Sequence, residues 1–335
     1  MTMSKKMKRW IENRRVLAAF SDPAGAKAVL AYLNLYRVFS KSITVISDRE
    51  YSFYQDFGFG VLPEKRLSFA DWLSDCDVLI TGTSYPARLE LGLIDEAIKV
   101  GVPTISLVDH WINIAARYEM QGRRILPDVI GLVDAHAKRL AESERLPTDR
   151  LHIIGNPHHE YLNSWKPTIS KNNLLSSLGL DIKKPFFLYV PEPISRFGLK
   201  VKYGFDEIDG LNLLRQARRE VADMEFSIIV KAHPNQDHQL FIDNLAENND
   251  PDTIYLTDGD INTLCVHAQA VIGFFSNALI EATILGATVI RPLMLLLKNT
   301  LDPLLSQSEN KFIDTFSINE FADAIRTQIL INSIL

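Results

Sequence analysis

FSIIVKAHPN at 226–235, TIYLTDGD at 253–260 and AVIGFFSNALIEATILGATVIRP at 270–292 follow one another in a single region and set how the whole chain is read. Each begins with a short β-branched run (226–230, 253–256, 270–274), ends that run in small or polar residues, and hands over to a helical pattern. Strand, loop and helix repeated in this way predict a parallel sheet with helices on its faces. In such sheets ligands sit outside the carboxyl ends of the strands. Those ends carry Lys231, His233, Asp258, Ser276 and Asn277, with Glu281 on the helix that follows. A cationic and hydroxylic rim facing a helix N-terminus suits a phosphate, so the region is expected to hold a nucleotide mono- or diphosphate.

Upstream the same rhythm recurs. VLAAFSD (16–22), ITVISD (43–48), VLITGTS (78–84), TISLVDH (104–110), VIGLVD (129–134) and LHIIGNP (151–157) read as buried strands, with helical patterns at 86–100 and 134–145. Continuous apolar strands of this kind belong to doubly wound parallel sheets. A first Rossmann-like domain is therefore expected over 1–160, a polar linker with one helix over 161–184, and a second Rossmann-like domain over 185–335. Strand FFLYVPEP (186–193), a long loop (194–205), a helix to about Met224 and a final helix at 318–331 complete the second. Two such α/β domains facing a central cleft let one hold a donor and the other an acceptor.

Composition narrows the class. At 335 residues, with 47 % hydrophobic and 23 % charged residues, the chain has material for two cores. A net charge of −5 argues against nucleic acid as the partner. Cys76 and Cys265 make no metal spacing and fit a reducing compartment. No run approaches the roughly 18 apolar residues of a membrane span, so a cytoplasmic location is expected. The basic segment 5–15 around Trp10 fits a solvated lead-in helix or, alternatively, a peripheral contact with anionic lipid at the inner face of a membrane.

IIGNP at 153–157, KAHP at 231–234 and SNALIEATILGATVI at 276–290 together resemble the GT-B glycosyltransferase superfamily. The nearest flavours are the bacterial capsule and teichoic-acid enzymes (CDP-glycerol glycerophosphotransferase-like) and the sialyltransferases with an HP motif and a serine motif. The resemblance implies a metal-independent transferase with no cofactor. It would move a sugar or polyol phosphate from a nucleotide-activated donor to a glycan or lipid-linked acceptor in capsule or other cell-surface polysaccharide synthesis. His233-Pro234-Asn235 is similar also to the HPN of the non-hydrolysing nucleotide-sugar 2-epimerases. Those usually carry a glycine pair where this chain reads Phe275-Ser276-Asn277, a departure that favours the transferases. An epimerase or hydrolase of a nucleotide sugar is the alternative, and a non-catalytic nucleotide-sugar-binding subunit of a capsule assembly complex the third reading.

On the donor side the resemblance assigns His233 to the phosphate or leaving group, Ser276 and Asn277 to the phosphate, and Glu281 to ribose hydroxyls. Ser276 equally fits a plain N-cap, and Glu281 a first-turn acid on the helix dipole. Lys231, Arg196 and Lys200 are further phosphate or acceptor contacts. On the acceptor side His110, or Asp109 as its orienter or as the base itself, would take the acceptor's proton. Asp22 and Gly25 fit both a plain turn and the lining of the same cleft. The acidic run 206–210 is similar to a sialyltransferase motif but reads as a helix start. Asp258-Gly259-Asp260 reads as a turn and N-cap rather than a metal motif, and His158 and His159 as linker residues.

Overall fold

The computed structural model describes residues 3–85, 88–111, 113–297 and 312–334. The chain divides into two compact units, Met1–Tyr161 and Leu162–Leu335. Among the described residues of the first, strands β1 (Arg15–Phe20), β2 (Ser42–Ser47), β3 (Val61–Pro63), β4 (Val78–Thr81) and β5 (Thr104–Leu107) are followed by the hairpin of β6 (Glu119–Met120) and β7 (Arg123–Arg124). β8 (Val129–Leu132) and β9 (Leu151–Ile153) complete the unit's strands. The main sheet runs β3-β2-β1-β4-β5-β8-β9 and is parallel throughout. From β1 the chain winds outward to β3, then returns to the far side of β1 at β4. The two halves of the sheet therefore part between β1 and β4.

The second unit repeats the plan with β10 (Phe186–Tyr189), β11 (Ser227–Lys231), β12 (Thr253–Leu256), β13 (Val271–Ile272), β14 (Val289–Pro292) and β15 (Phe312–Thr315). Their order is β12-β11-β10-β13-β14-β15, again all parallel. Here the reversal falls between β10 and β13. Both units are thus doubly wound α/β sheets, as the strand rhythm predicts.

The strands are apolar on both faces because helices cover them. Helices Pro23–Tyr36 and Leu89–Val100 pack on β1, β4 and β5, burying Val29, Leu30, Leu33, Leu93 and Ile94. In the second unit Glu207–Glu220 packs against Ile318–Ile334, and Leu211, Leu214, Phe226, Phe274 and Phe321 share one core. Large apolar side chains of this kind each contribute about 1.5–3 kcal/mol when taken out of water.

Several local expectations are revised. β3 and β15 are short strands at the outer edges of their sheets, and the β6–β7 hairpin is a two-residue ladder; none carries enough periodicity to be read in advance. The stretch expected as linker holds the end of helix Pro157–Ser164 and helix Lys171–Ser177, whose Leu175 is fully buried. The helix expected at 86–100 is observed as Leu89–Val100; residues 86 and 87 lie outside the described ones.

The basic lead-in does form a helix, Met3–Ile11. Met7 and Ile11 are buried in the first unit's core, and the Tyr32 hydroxyl donates to the Met7 carbonyl at 2.6 Å. Lys8 pairs with Glu12 at 3.3 Å, and Arg15 pairs with Asp77 at 2.7 Å and with Asp75. These residues serve the fold, so the lipid-facing reading of 5–15 loses its apolar side: Met7 and Ile11 already pack inward. Among the described residues no helix is long and apolar enough to cross a membrane.

Candidate functional site

In an open α/β sheet the crevice forms at the strand ends where the winding reverses. In the first unit that place is bounded by the residues following β1, β4 and β5. Asp22 follows β1 and stands at the N-cap position of helix Pro23–Tyr36. Its Oδ2 accepts the Tyr85 N–H at 3.2 Å, and its Oδ1 lies 3.4 Å from Arg49. Burial pushes the Asp22 carboxyl up, against the pull of the Tyr85 N–H and Arg49. Gly25 is buried, and a Cβ there would come within 2.9 Å of the Thr83 carbonyl oxygen. Its lack of a side chain therefore lets the backbone after β4 approach this helix.

After β5, Asp109 is 6 % exposed and belongs to a closed polar triad. Thr83 Oγ1 donates to Asp109 Oδ1 at 3.1 Å, and Arg117 Nη1 donates to that oxygen at 3.1 Å and to Thr83 Oγ1 at 2.9 Å. His110 stands instead edge-on to Trp111, ring centroids 5.4 Å apart. Burial lowers its imidazole from 6.5 to about 4, with Asp109 pulling upward and Arg117 downward. His110 is thus neutral near pH 7, as a proton acceptor must be. Nearby Glu90 is buried and fully bound, taking the Ser21 N–H at 2.9 Å and hydroxyls of Ser21 and Ser84. Sequence reading passed over Thr83, Arg117 and Glu90, which lie in a loop or on a helix with no motif to mark them.

In the second unit the reversal brings the ends of β10 and β13 side by side. Ser276 caps helix Asn277–Ile284, its Oγ accepting the Ala278 N–H at 3.2 Å. Asn277 opens that helix, and Glu281, 8 % exposed, lies one turn on. His233 follows β11, half-buried, with its Nδ1 accepting the Asn235 N–H at 3.1 Å. That bond leaves the proton of the neutral ring on Nε2, where it can be donated. β10 separates the end of β11 from that of β13, and the loop that follows it carries Glu192. The Glu192 Oε1 accepts the Phe275 N–H at 2.8 Å across the reversal point. Burial raises this carboxyl to about 7, against the backbone N–H groups of Phe275, Glu192, Phe274 and Ser276. Prolines on both sides of an acid at a strand end (Pro191, Pro193) were the one signal for it.

A second buried acid ties the loops. Glu207 is 0 % exposed and accepts the Ser195 N–H at 2.9 Å, the Ser195 hydroxyl, and Gln236 Nε2 at 2.6 Å. It thereby fixes the loop after β10 to the one carrying His233. Lys231 donates to the Thr257 carbonyl at 2.8 Å, bracing the ends of β11 and β12. Lys200 pairs with Asp206 at 2.7 Å and Asp209 at 2.8 Å, the two acids of the capping box on helix Glu207–Glu220. The run 206–210 is therefore a helix start, and Asp260 likewise caps helix Ile261–His267. Arg196 is exposed in the loop after β10. His158 is 2 % exposed and stacks on Tyr161 at 6.1 Å, inside the first unit and not in a linker.

No protein-family model matches the sequence, and no curated protein matches it. Solved structures do resemble the fold. The UDP-GlcNAc 2-epimerase of Methanocaldococcus jannaschii aligns with a TM-score of 0.63 at 12 % identity over 93 % of this chain and 92 % of its own. The UDP-GlcNAc 2-epimerase of Neisseria meningitidis, bound to UDP-GlcNAc, aligns at 0.62 and 14 % over 96 % and 92 %. Anabaena HepE, in complex with UDP-glucose, aligns at 0.64 and 12 % over 95 % and 90 %. The GT-B-like architecture of two parallel-sheet α/β domains is thereby established. The expectation of a glycosyltransferase is corrected: UDP-GlcNAc 2-epimerases align with the chain nearly end to end, and the missing glycine pair that favoured the transferases does not outweigh them.

Proposed function

We propose that the chain is an enzyme acting on a nucleotide sugar, inverting a carbon of the sugar ring next to the anomeric centre, as a 2-epimerase does. One observation carries this reading: Ser276, Asn277 and buried Glu281 stand at one helix N-terminus at the sheet's reversal point, with His233, its Nδ1 held by the Asn235 N–H, on the same rim. The helix end favours a diphosphate through its dipole and its N-terminal backbone N–H groups. His233 Nε2 is suited to stabilise negative charge growing on a departing or polarised diphosphate. Glu281 is suited to accept hydrogen bonds from ribose hydroxyls, which accounts for an acid on an otherwise apolar helix. Inversion breaks one C–H bond and remakes it on the opposite face, which needs a proton acceptor and a proton donor. Asp109 and His110 are the acid–base candidates of the first unit.

Proton NMR in D2O on UDP-GlcNAc tests the reading. The C2 proton signal is expected to disappear as deuterium enters and the manno epimer grows in. UDP- and CDP-hexoses that bind yet keep every ring proton, or that release only free sugar, would overturn it.

A further inference from the structure

Glu192 takes no part in the proposed epimerisation, yet its surroundings are unusual. It is 8 % exposed, in the loop that follows β10, joined through Oε1 to the backbone just before the Ser276 cap. Its Oε2 is enclosed and, among the described residues, has no hydrogen-bond partner. Asn277 Oδ1, on the first residue of the adjoining helix, is enclosed and unpartnered in the same way. An enclosed carboxylate oxygen without a donor is costly, whereas a neutral acid in that place costs far less.

We propose that Glu192 is a positioning residue which makes anion binding at this helix conditional on a proton: the neutral acid holds the Phe275–Ser276 turn open to a nucleoside diphosphate, and the carboxylate opposes it. This rests on the proposed diphosphate site. The physical reason is that an ionised Glu192, held by the Phe275 N–H, sets a negative charge beside the helix end that would receive the phosphates. It both competes for their positive potential and repels the ligand. Its raised pKa, about 7, means that the proton is taken up on binding in the neutral to mildly alkaline range.

The charged and titratable groups on the surrounding elements do not replace this role. Tyr189 on β10 is held protonated by burial and by Glu192 and Glu207. Glu207 is bound by Ser195 and Gln236, and Arg291 on β14 pairs with Asp314 at 2.7 Å while reaching the Phe274 carbonyl. His233 and Glu281, on the elements to either side, remain in the E192Q variant, so any pH dependence they cause survives the substitution.

The test is calorimetric titration of the full chain with UDP across pH 6 to 9, in two buffers of different ionisation heat. The wild type is expected to lose about tenfold or more in affinity from pH 7 to 9, with proton uptake near one per UDP at the alkaline end. E192Q, which keeps an acceptor for the Phe275 N–H without the charge, should bind with about threefold variation or less over that range and more tightly than wild type at pH 9. Equal pH slopes in both proteins, or no proton uptake by the wild type, would overturn the proposal while leaving the nucleotide site standing. Should E192Q fail to fold, the wild-type proton count alone decides. Absence of UDP binding by the wild type at every pH removes both.

Discussion

In the unfolded chain the His110 imidazole titrates near 6.5, and burial beside Trp111 brings it to about 4 in the folded one. Between those values the unfolded chain binds more protons, so folding stability is full above about pH 6.5 and falls as the pH drops towards 4. His110→Gln should flatten that part of an acid denaturation curve followed by urea midpoint; an unchanged slope would show that other groups dominate it. Asp109, one residue earlier, is instead ion-paired with the largely buried guanidinium of Arg117, in the closed triad with Thr83. Removing one member of such a pair strands the other charge. Motifs revealed Asp109 and His110 but not their partners, since Arg117 comes from a single 3-10 turn, Ala115–Tyr118, with no sequence pattern.

At the scale of elements, the 277–284 helix is the one on which the nucleotide reading depends. Ser276→Ala removes its cap and should cost about 1 kcal/mol of stability, and it should also weaken UDP binding severalfold. Asp260→Ala on the neighbouring helix is the control. Asp260 caps Asn262 and Thr263 N–H groups at 3.0 and 3.1 Å, so its loss should lower the melting temperature comparably without changing UDP affinity. If both substitutions weaken UDP equally, the effect is one of stability and not of the anion site. The strands set this helix in place: β13 is only two residues long, and its pairing with β10 carries Gly273 to Ser276 to the edge where Glu192 meets them. A short strand was legible as an apolar run, but the pairing that gives it a function was not.

For the molecule as a whole, a bound nucleotide should stabilise the fold by mass action. UDP at about a hundred times its dissociation constant is expected to add roughly 2.7 kcal/mol, read as a rise in melting temperature, with uridine giving much less because it lacks the diphosphate. Equal shifts from uridine and UDP would place recognition in the base and ribose alone. By itself the amino-acid sequence determined that two parallel α/β units exist, where most of their strands lie, and which residues reach the strand ends, because runs of buried β-branched residues and cap signals are local properties. Only the tertiary structure decided the order of the strands, hence where each sheet reverses and which strand ends become neighbours. It also made Glu192, Glu207, Thr83 and Arg117 part of those rims, because burial and hydrogen-bond partners depend on residues far apart in the chain, and no local pattern records them.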